Sequence, residues 1–317
     1  MRTPSSIFVD RQQAGRTLLE ILVASLRLPR KDALSLLRDR QVRISGGVCT
    51  DGERRLKIGQ HVQIDKANRE RQRPETAHEI IVRHVDDDIV VVEKPAGLTT
   101  VRHADEAASF GKRAKKFLPP TLVDLLPDVL KQAGHSVKGR VRAVHRIDKE
   151  TSGLVVLART PDAETHLGKQ FRSHTVGRHY LALVRGEAVE ERIETHFVAD
   201  RGDGRRGSAD ATDGQLAVTH VRVVKALGDF TLVECRLETG RTHQVRIHLG
   251  ERGTPLCGER VYDRRLHGKP MPDPSGAKRP MLHAAYLAID HPRTGKRLEW
   301  HAELPRDMEE MQKRFIV

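Results

Sequence analysis

Apolar residues recur at helical spacing in two stretches near the start of the chain. Residues 17–28 carry leucines and a valine at intervals of three and four, with Thr17 in position to cap the first turn and Pro29 after the last. Residues 31–40 repeat the pattern, with one apolar side and one basic side. This spacing predicts two short amphipathic helices.

An alternating pattern follows the second of these helices. Residues 42–48 alternate apolar and polar positions around Gly46-Gly47, which is typical of a tight β-hairpin. Residues 62–64 resume the alternation after a turn. The first 65 residues therefore predict the order helix, helix, hairpin and strand.

From residue 79 onward, the hydrophobic pattern indicates strands more often than helices. Strands are predicted at 80–82, 89–92, 154–157, 180–184, 216–224, 232–237 and 244–249. Helices are predicted near 122–132, 163–172 and 305–314. We therefore expect an α+β body built on a large, mostly antiparallel sheet.

A polar, charged stretch separates these two parts of the chain. Residues 66–78 contain Pro74 and hardly any apolar residue, which is typical of a linker. The predicted organisation is a small domain at 1–65, a linker at 66–78 and a larger domain at 79–317.

Charge and cysteine content restrict the class of protein. The 317 residues carry 56 Lys+Arg against 43 Asp+Glu, a net charge of +13, and most of the excess lies before residue 75. Such an excess indicates a polyanionic partner, although solubility alone would also explain it. Three distant cysteines exclude a disulfide framework, and no apolar run is long enough for a membrane span. We expect a cytoplasmic, monomeric protein that does not bind a membrane.

The basic residues of the first domain lie mainly on its second predicted helix. A helix with one basic and one apolar face can dock on a phosphate backbone, or simply be solvated. The whole pattern at 16–65 resembles the ribosomal-protein-S-four-like RNA-binding domain. The residues expected to contact RNA are Arg30, Lys31, Arg38 and Arg40.

The most informative segment is Val144–Leu157, VHRIDKETSGLVVL. Asp148 stands in a loop before a buried strand, with His145, Arg146 and Lys149 beside it. A carboxylate held among fixed cations stays ionised and can attack or accept a proton. An ordinary ion pair in a turn is the alternative interpretation of these residues taken alone.

This segment closely resembles the HRLDxxTSG motif of RluA-family pseudouridine synthases. Other motifs of that family follow in the same order along the chain. They are EKPAG at 93–97, RHYLALVRG at 178–186, GRTHQVRIHL at 240–249, LHA at 282–284 and HP at 291–292. One departure is GERVYD at 258–263, where the family usually has G-D-x-x-Y-G.

The resemblance implies an enzyme that detaches uracil from its ribose in RNA and rejoins it through C5, with no cofactor and no metal. It implies Asp148 as the active carboxylate and Tyr180 as the residue that packs on the target base. It also implies RNA contacts from Arg146, Arg241, His145 and Lys94. Large-subunit ribosomal RNA is the expected partner, and transfer RNA is the alternative.

An arginine of the motif at 240–249 is expected to pair with Asp148. In a strand over 244–249, the apolar residues share one face and Arg246 lies on the other. Arg246 is therefore the predicted partner that holds the carboxylate in its charged form, and Arg241 is the second choice, with phosphate binding as its alternative role.

Two other functions have to be weighed against the isomerase. A noncatalytic RNA-binding or ribosome-assembly protein could keep the fold, but it would not need Asp148, Tyr180 and Arg246 together. A metal-dependent nuclease would need clustered carboxylates, and only residues 86–88 offer them, in what we expect to be a solvated turn. A basic run at 112–116 either contacts RNA or is solvated.

Overall fold

The computed structural model describes residues 6–38, 41–44, 47–64, 79–102, 118–137, 139–209, 214–264 and 268–315. The chain forms two compact units, one of residues 1–75 with 101–121 and one of residues 76–100 with 122–317. Arg40, the predicted linker at 66–78 and the basic run at 112–116 lie outside the described residues, so those predictions stay predictions.

The first unit contains both predicted helices and the predicted hairpin. Helix α1 is Leu18–Leu26 and α2 is Arg30–Arg38. Their leucines pack on a four-stranded sheet of order β1-β4-β2-β3. The strands are β1 Ser6–Phe8, β2 Val42–Ile44, β3 Gly47–Val48 and β4 His61–Ile64. Strand β1 was not predicted, because three residues are too few to establish an alternation.

The start of α1 shows why this helix is well defined from sequence. The Thr17 hydroxyl accepts a hydrogen bond from the backbone N–H of Glu20, and the Glu20 carboxylate accepts one from the backbone N–H of Thr17. This capping box satisfies two donors that the first turn leaves open. The helix ends at Arg27, which adopts the left-handed conformation.

The second unit is built on one large mixed sheet, as predicted. Within the described residues it has 11 strands, in the order β11-β10-β12-β13-β9-β14-β8-β6-β5, with β15 beside β14 and β7 beside β8. The strands are β5 Ile81–Val85, β6 Ile89–Lys94, β7 Arg142–Ala143, β8 Ser152–Ala158, β9 Gly177–Arg185, β10 Glu191–Val198, β11 Gly207–Ala209, β12 Gln215–Leu227, β13 Phe230–Leu237, β14 Leu282–Asp290 and β15 Arg297–His301. Only β8 and β14 pair in parallel among the described pairs.

Helices cover this sheet on both sides. Helix α3, Leu122–Gln132, packs in one apolar cluster with β6 and β8, and helix α4, Pro161–Arg172, packs in another with β8 and β14. Helix α6 is Arg306–Phe315. No helix within the described ranges is long and apolar enough to cross a membrane.

The strand predicted at 244–249 is wrong, because this segment is helix α5, Gln244–Arg252. Its apolar residues alternate with Gln244 and His248, which are also buried. Both polar side chains are satisfied inside the protein, Gln244 by Val218 and His248 by Thr219. The segment alternates between apolar and polar residues because its polar side chains are buried with hydrogen-bond partners. The alternation therefore does not indicate a strand.

Candidate active site

Asp148 lies in the loop between β7 and β8, and the backbone of this loop is fixed from several sides. The Thr100 hydroxyl donates to the carbonyl of Ile147 at 2.8 Å. The carbonyl of Lys149 accepts from the backbone N–H of Gly97 at 2.8 Å and from the Lys94 ammonium at 3.1 Å. The position of Asp148 is therefore set by the loop that follows β6.

The strand after this loop requires a glycine. Gly153 has a φ of +112°, and a Cβ there would overlap the backbone carbonyl oxygen of Ala284 in β14. This close approach lets β8 and β14 pair in parallel at Gly153 and Ala284. Tyr180 pairs with Ala284 from the other side of β14, which places it two strands from Gly153.

Arg246 contacts two carboxylates at once. Its Nη1 lies 3.3 Å from Asp148 Oδ2, while its Nε and Nη2 donate to both oxygens of Glu259 at 2.7 and 2.9 Å. Burial alone would lower the pKa of Arg246, but the two carboxylates outweigh it and raise the pKa above its ordinary value. The guanidinium is therefore charged and faces the predicted catalytic group.

Glu259 is a residue that sequence reasoning did not assign to the site. Its side chain is fully buried, and Oε1 also accepts from the backbone N–H groups of residues 260, 261 and 262. Burial raises its pKa, but Arg246 and these backbone donors outweigh burial and hold the pKa below its ordinary value. The only sequence signal was the departure from the family's Asp at this position.

His243 was also missed. It adopts the left-handed conformation at φ 60° immediately before α5. Its Nδ1 lies 2.8 Å from the Tyr262 hydroxyl, and its Nε2 lies 3.8 Å from Asp148 Oδ1. Burial lowers the pKa of His243, although Asp148 opposes this. A neutral ring whose Nδ1 accepts from Tyr262 presents its N–H toward Asp148.

Asp148, Arg246 and His243 line an open cleft of about 100 Å³. Its apolar lining includes Leu237, Val245 and Leu282. Tyr180 lines it too; burial raises the pKa of its phenol, Arg178 opposes this and Asp148 adds to it, so the phenol remains protonated at neutral pH.

Two of the residues predicted to bind RNA, Arg146 and Arg241, also line the cleft. Arg146 is exposed in the loop beside Asp148. Arg241 donates from its Nε to the carbonyl of Leu216 at 2.8 Å, and no ion pair is found for it within the described part of the chain. The cleft therefore combines a fixed carboxylate, an aromatic ring and two rim cations.

Lys94 requires correction as a predicted RNA contact because its side chain is buried, whereas the RNA contact predicted for the half-buried His145 stays a prediction. The Lys94 side chain is buried and donates to the carbonyls of Pro95 and Lys149, and burial lowers its pKa to about 7. The His145 ring stacks on Phe171 and accepts from the backbone N–H of Val156, and burial lowers its pKa to about 3. Both residues support the loop that carries Asp148.

The predicted RNA contacts of the first unit are described only in part. Arg30 is exposed and lies 3.6 Å from Glu53, and Lys31 is exposed on the same helix. The backbone of Arg38 belongs to α2. Docking of α2 on phosphate therefore stays a prediction.

Carboxylates at 86 and 88 approach His291 closely enough to raise the question of a metal site. The His291 Nδ1 accepts from the backbone N–H groups of residues 293 and 294, so its Nε2 carries the proton and donates to Asp86 at 3.1 Å. Asp88 pairs with Arg293. Hydrogen bonds within the protein thus account for this cluster.

Comparison with known proteins agrees with this fold. Residues 88–251 match the RNA pseudouridylate synthase family. A solved human structure, RNA Pseudouridylate Synthase Domain Containing 4, has the same fold, with a TM-score of 0.59 and 23% sequence identity over 76% of this chain and 95% of that one. The chain therefore belongs to the RNA pseudouridylate synthase family and is an isomerase that acts on RNA.

Within that family, two curated relatives share a more particular name. Ribosomal large subunit pseudouridine synthase D of Nitrosomonas europaea is 38% identical over 70% of this chain, and the match spans 61% of that protein, under two thirds of its length. The protein of the same name from Escherichia coli O6:H1 is 32% identical over 86% of this chain and 82% of its own length.

Proposed function

We propose that this protein converts specific uridines of large-subunit ribosomal RNA to pseudouridine, with Asp148 as the reacting carboxylate. In this isomerisation the C1′–N1 bond breaks, a C1′–C5 bond forms, and the hydrogen of C5 is replaced while N1 gains a proton. The observation that carries the proposal is a carboxylate that faces an open cleft and is paired with a charged guanidinium at 3.3 Å.

The cleft lining suggests how the substrate is held. A uracil must leave the helical stack to reach Asp148, at a cost of a few kcal/mol. Tyr180 packs against the extruded ring, and Arg146 fills the space that the base leaves in the RNA. Arg241 binds a neighbouring phosphate.

Arg246 and Glu259 act through Asp148. Glu259 takes the two shorter hydrogen bonds of Arg246, so Arg246 is held in place before substrate arrives. The longer contact to Asp148 orients the carboxylate while leaving its lone pairs free for the substrate.

The first unit gives a second contact with RNA. Its order of helix, helix and hairpin and its excess of basic residues support a ribosomal-protein-S-four-like role in binding structured RNA. We place the protein in the cytoplasm as a monomer, where ribosomal RNA is modified. Large-subunit ribosomal RNA is preferred to transfer RNA because the relatives carry that substrate in their names.

A map of pseudouridine in total cellular RNA tests the substrate assignment. Cells with and without this protein are compared, and purified protein is then added to unmodified large-subunit ribosomal RNA and to unmodified transfer RNA. We expect a small set of positions in large-subunit ribosomal RNA to depend on the protein. Dependence confined to transfer RNA, or no dependent position at all, contradicts the proposal.

A further inference from the structure

One phenylalanine ring is exposed on the described part of the first unit. Phe8 is the only Phe, Tyr or Trp among residues 1–75, and 69% of its surface is accessible. Its ring stacks on His61 with the centroids 4.3 Å apart and the planes within 16° of parallel. A pair of stacked rings at the surface presents a flat face that the core does not use.

Strand register shows what surrounds this ring. Phe8 pairs with His61, and Gln63 pairs with Arg43, so these four side chains lie on one face of the small sheet. The neighbouring positions, including Ile7 and Val62, lie on the other face and belong to the apolar core under the helices. Phe8 therefore stands on the face of the sheet that points away from α1 and α2.

The chemistry of this face matches an unpaired nucleobase. It offers a stacking ring from Phe8, an exposed amide from Gln63 and a guanidinium from Arg43. Residues 1–74 also carry 16 Lys+Arg against 8 Asp+Glu, so the unit attracts a polyanion. Single-stranded RNA is bound in other proteins by aromatic rings on a sheet with cations that follow the backbone.

We propose that the outer face of this four-stranded sheet binds an unpaired RNA base stacked on Phe8. This contact is separate from the catalytic cleft and from the basic helix α2. It gives the protein a way to recognise a single-stranded segment of an RNA that also contains paired regions. Any base can stack on the ring, so the site distinguishes single-stranded RNA from paired RNA and does not select a base sequence.

The test separates base stacking from charge. Affinity of the full-length protein is measured for an RNA of about 12 nucleotides made of A and C only, which offers no uridine to the catalytic site. The same measurement uses an abasic strand of equal length and charge. Phe8→Ala should weaken binding of the base-bearing RNA by about fivefold or more and leave the abasic strand unchanged.

Three further variants fix the interpretation. Phe8→Leu keeps an apolar side chain without a ring and should lose as much affinity as Phe8→Ala, whereas Phe8→Trp should retain it. Ile58→Ala removes another side chain that is 58% exposed on the same unit, and it should change neither affinity. Thermal unfolding of each variant checks that the fold is kept.

Two results would overturn the proposal. Equal weakening of both strands by Phe8→Ala means that the ring does not stack on a base, and unchanged binding means that this face is not used. A change in self-association without a change in RNA affinity would assign the face to contacts between copies of the chain. Because binding is measured rather than isomerisation, the outcome does not depend on the proposed reaction.

Discussion

Arg246 divides its hydrogen bonds unequally between two carboxylates. The two short contacts go to the buried Glu259, and the single longer contact goes to Asp148. Glu259 therefore holds the Arg246 guanidinium in place. Asp148 lies next to this positive charge and can still approach the substrate. The arrangement holds the Asp148 carboxylate in a defined orientation, which both attack and proton transfer need.

Replacement of Arg246 should reduce the chemical rate more than RNA affinity. Arg246→Met alone leaves the buried Glu259 carboxylate without its charged partner. This should lower the free energy of unfolding by about 3–5 kcal/mol. The double variant Arg246→Met with Glu259→Gln removes that charge and should recover much of the stability. Its single-turnover rate should stay about a hundredfold below the wild type, because Asp148 loses its orientation.

A matched arginine variant distinguishes pairing with Asp148 from a general weakening of the site. Arg241 lines the same cleft but donates to the carbonyl of Leu216 and not to Asp148. Arg241→Met should therefore weaken RNA binding and leave the single-turnover rate at saturating RNA near the wild-type value. A rate lost in Arg241→Met and kept in the Arg246 double variant would mean that Arg241 is the functional partner of Asp148.

Sequence reasoning reached part of the site and missed the rest for physical reasons. Asp148, Tyr180 and Arg246 belong to motifs, and the structure brings all three to one cleft. Glu259 was missed because a buried anchor leaves no periodic signal. Lys94 was misassigned because a motif identifies a residue without showing whether its side chain is exposed.

At the scale of elements, the parallel pairing of β8 with β14 positions the catalytic loop. Gly153 makes this pairing close enough, and Asp148 lies only five residues before it. Tyr180 on β9 is placed through the same β14. A disturbance between these strands should therefore change both stability and activity.

Gly153→Ala should lower the free energy of unfolding by about 2–5 kcal/mol, from left-handed strain and from overlap with Ala284. Gly186→Ala is the control, because Gly186 also has a positive φ of 81° but has open space around its Cα. It should cost only about 1–2 kcal/mol. Urea unfolding followed by Trp300 fluorescence measures both, and equal costs would contradict the close approach.

Elements were predictable where one face is buried and the other solvated. Helix α1 follows that rule and was found, whereas strand β6 is buried on both faces and was found from its continuous apolar run. Helix α5 is buried around most of its circumference, so its pattern carries no helical period. Strand β14 was missed even though its ends carry two recognised motifs, because its alternation is interrupted by small residues.

At the scale of the whole molecule, the basic excess before residue 75 should control the salt dependence of RNA binding. Replacing both Arg30 and Lys31 by Gln should reduce the slope of log affinity against log salt by about 2, if each contacts one phosphate. The slope is measured on structured ribosomal RNA fragments with the full chain. An unchanged slope would remove these two residues from the interface.

Buried neutral histidines should make the second unit sensitive to acid. Burial lowers the pKa of His248 to about 3, with Arg252 adding to the effect, and lowers that of His283 to about 4. The unfolded chain binds these protons from about pH 6.5 downward, so stability falls as pH drops through that window. Between pH 7 and pH 5, His248 should contribute a loss of about 2 kcal/mol.

The variant His248→Gln tests this contribution, because glutamine cannot titrate. Urea unfolding at both pH values should show a smaller difference for the variant than for the wild type, whatever its absolute stability. An equal difference would show that His248 is protonated in the folded protein or does not change its proton binding on unfolding. His145, whose pKa is also lowered by burial to about 3, should behave similarly.

The central claim is that Asp148 carries the isomerisation, and Asp148→Asn tests it most directly. The substitution keeps the shape of the side chain and removes its charge. We predict that single-turnover conversion of uridine in large-subunit ribosomal RNA is lost while RNA affinity, measured in parallel, stays within about twofold of the wild type. Conversion by the variant at the wild-type rate would contradict the account.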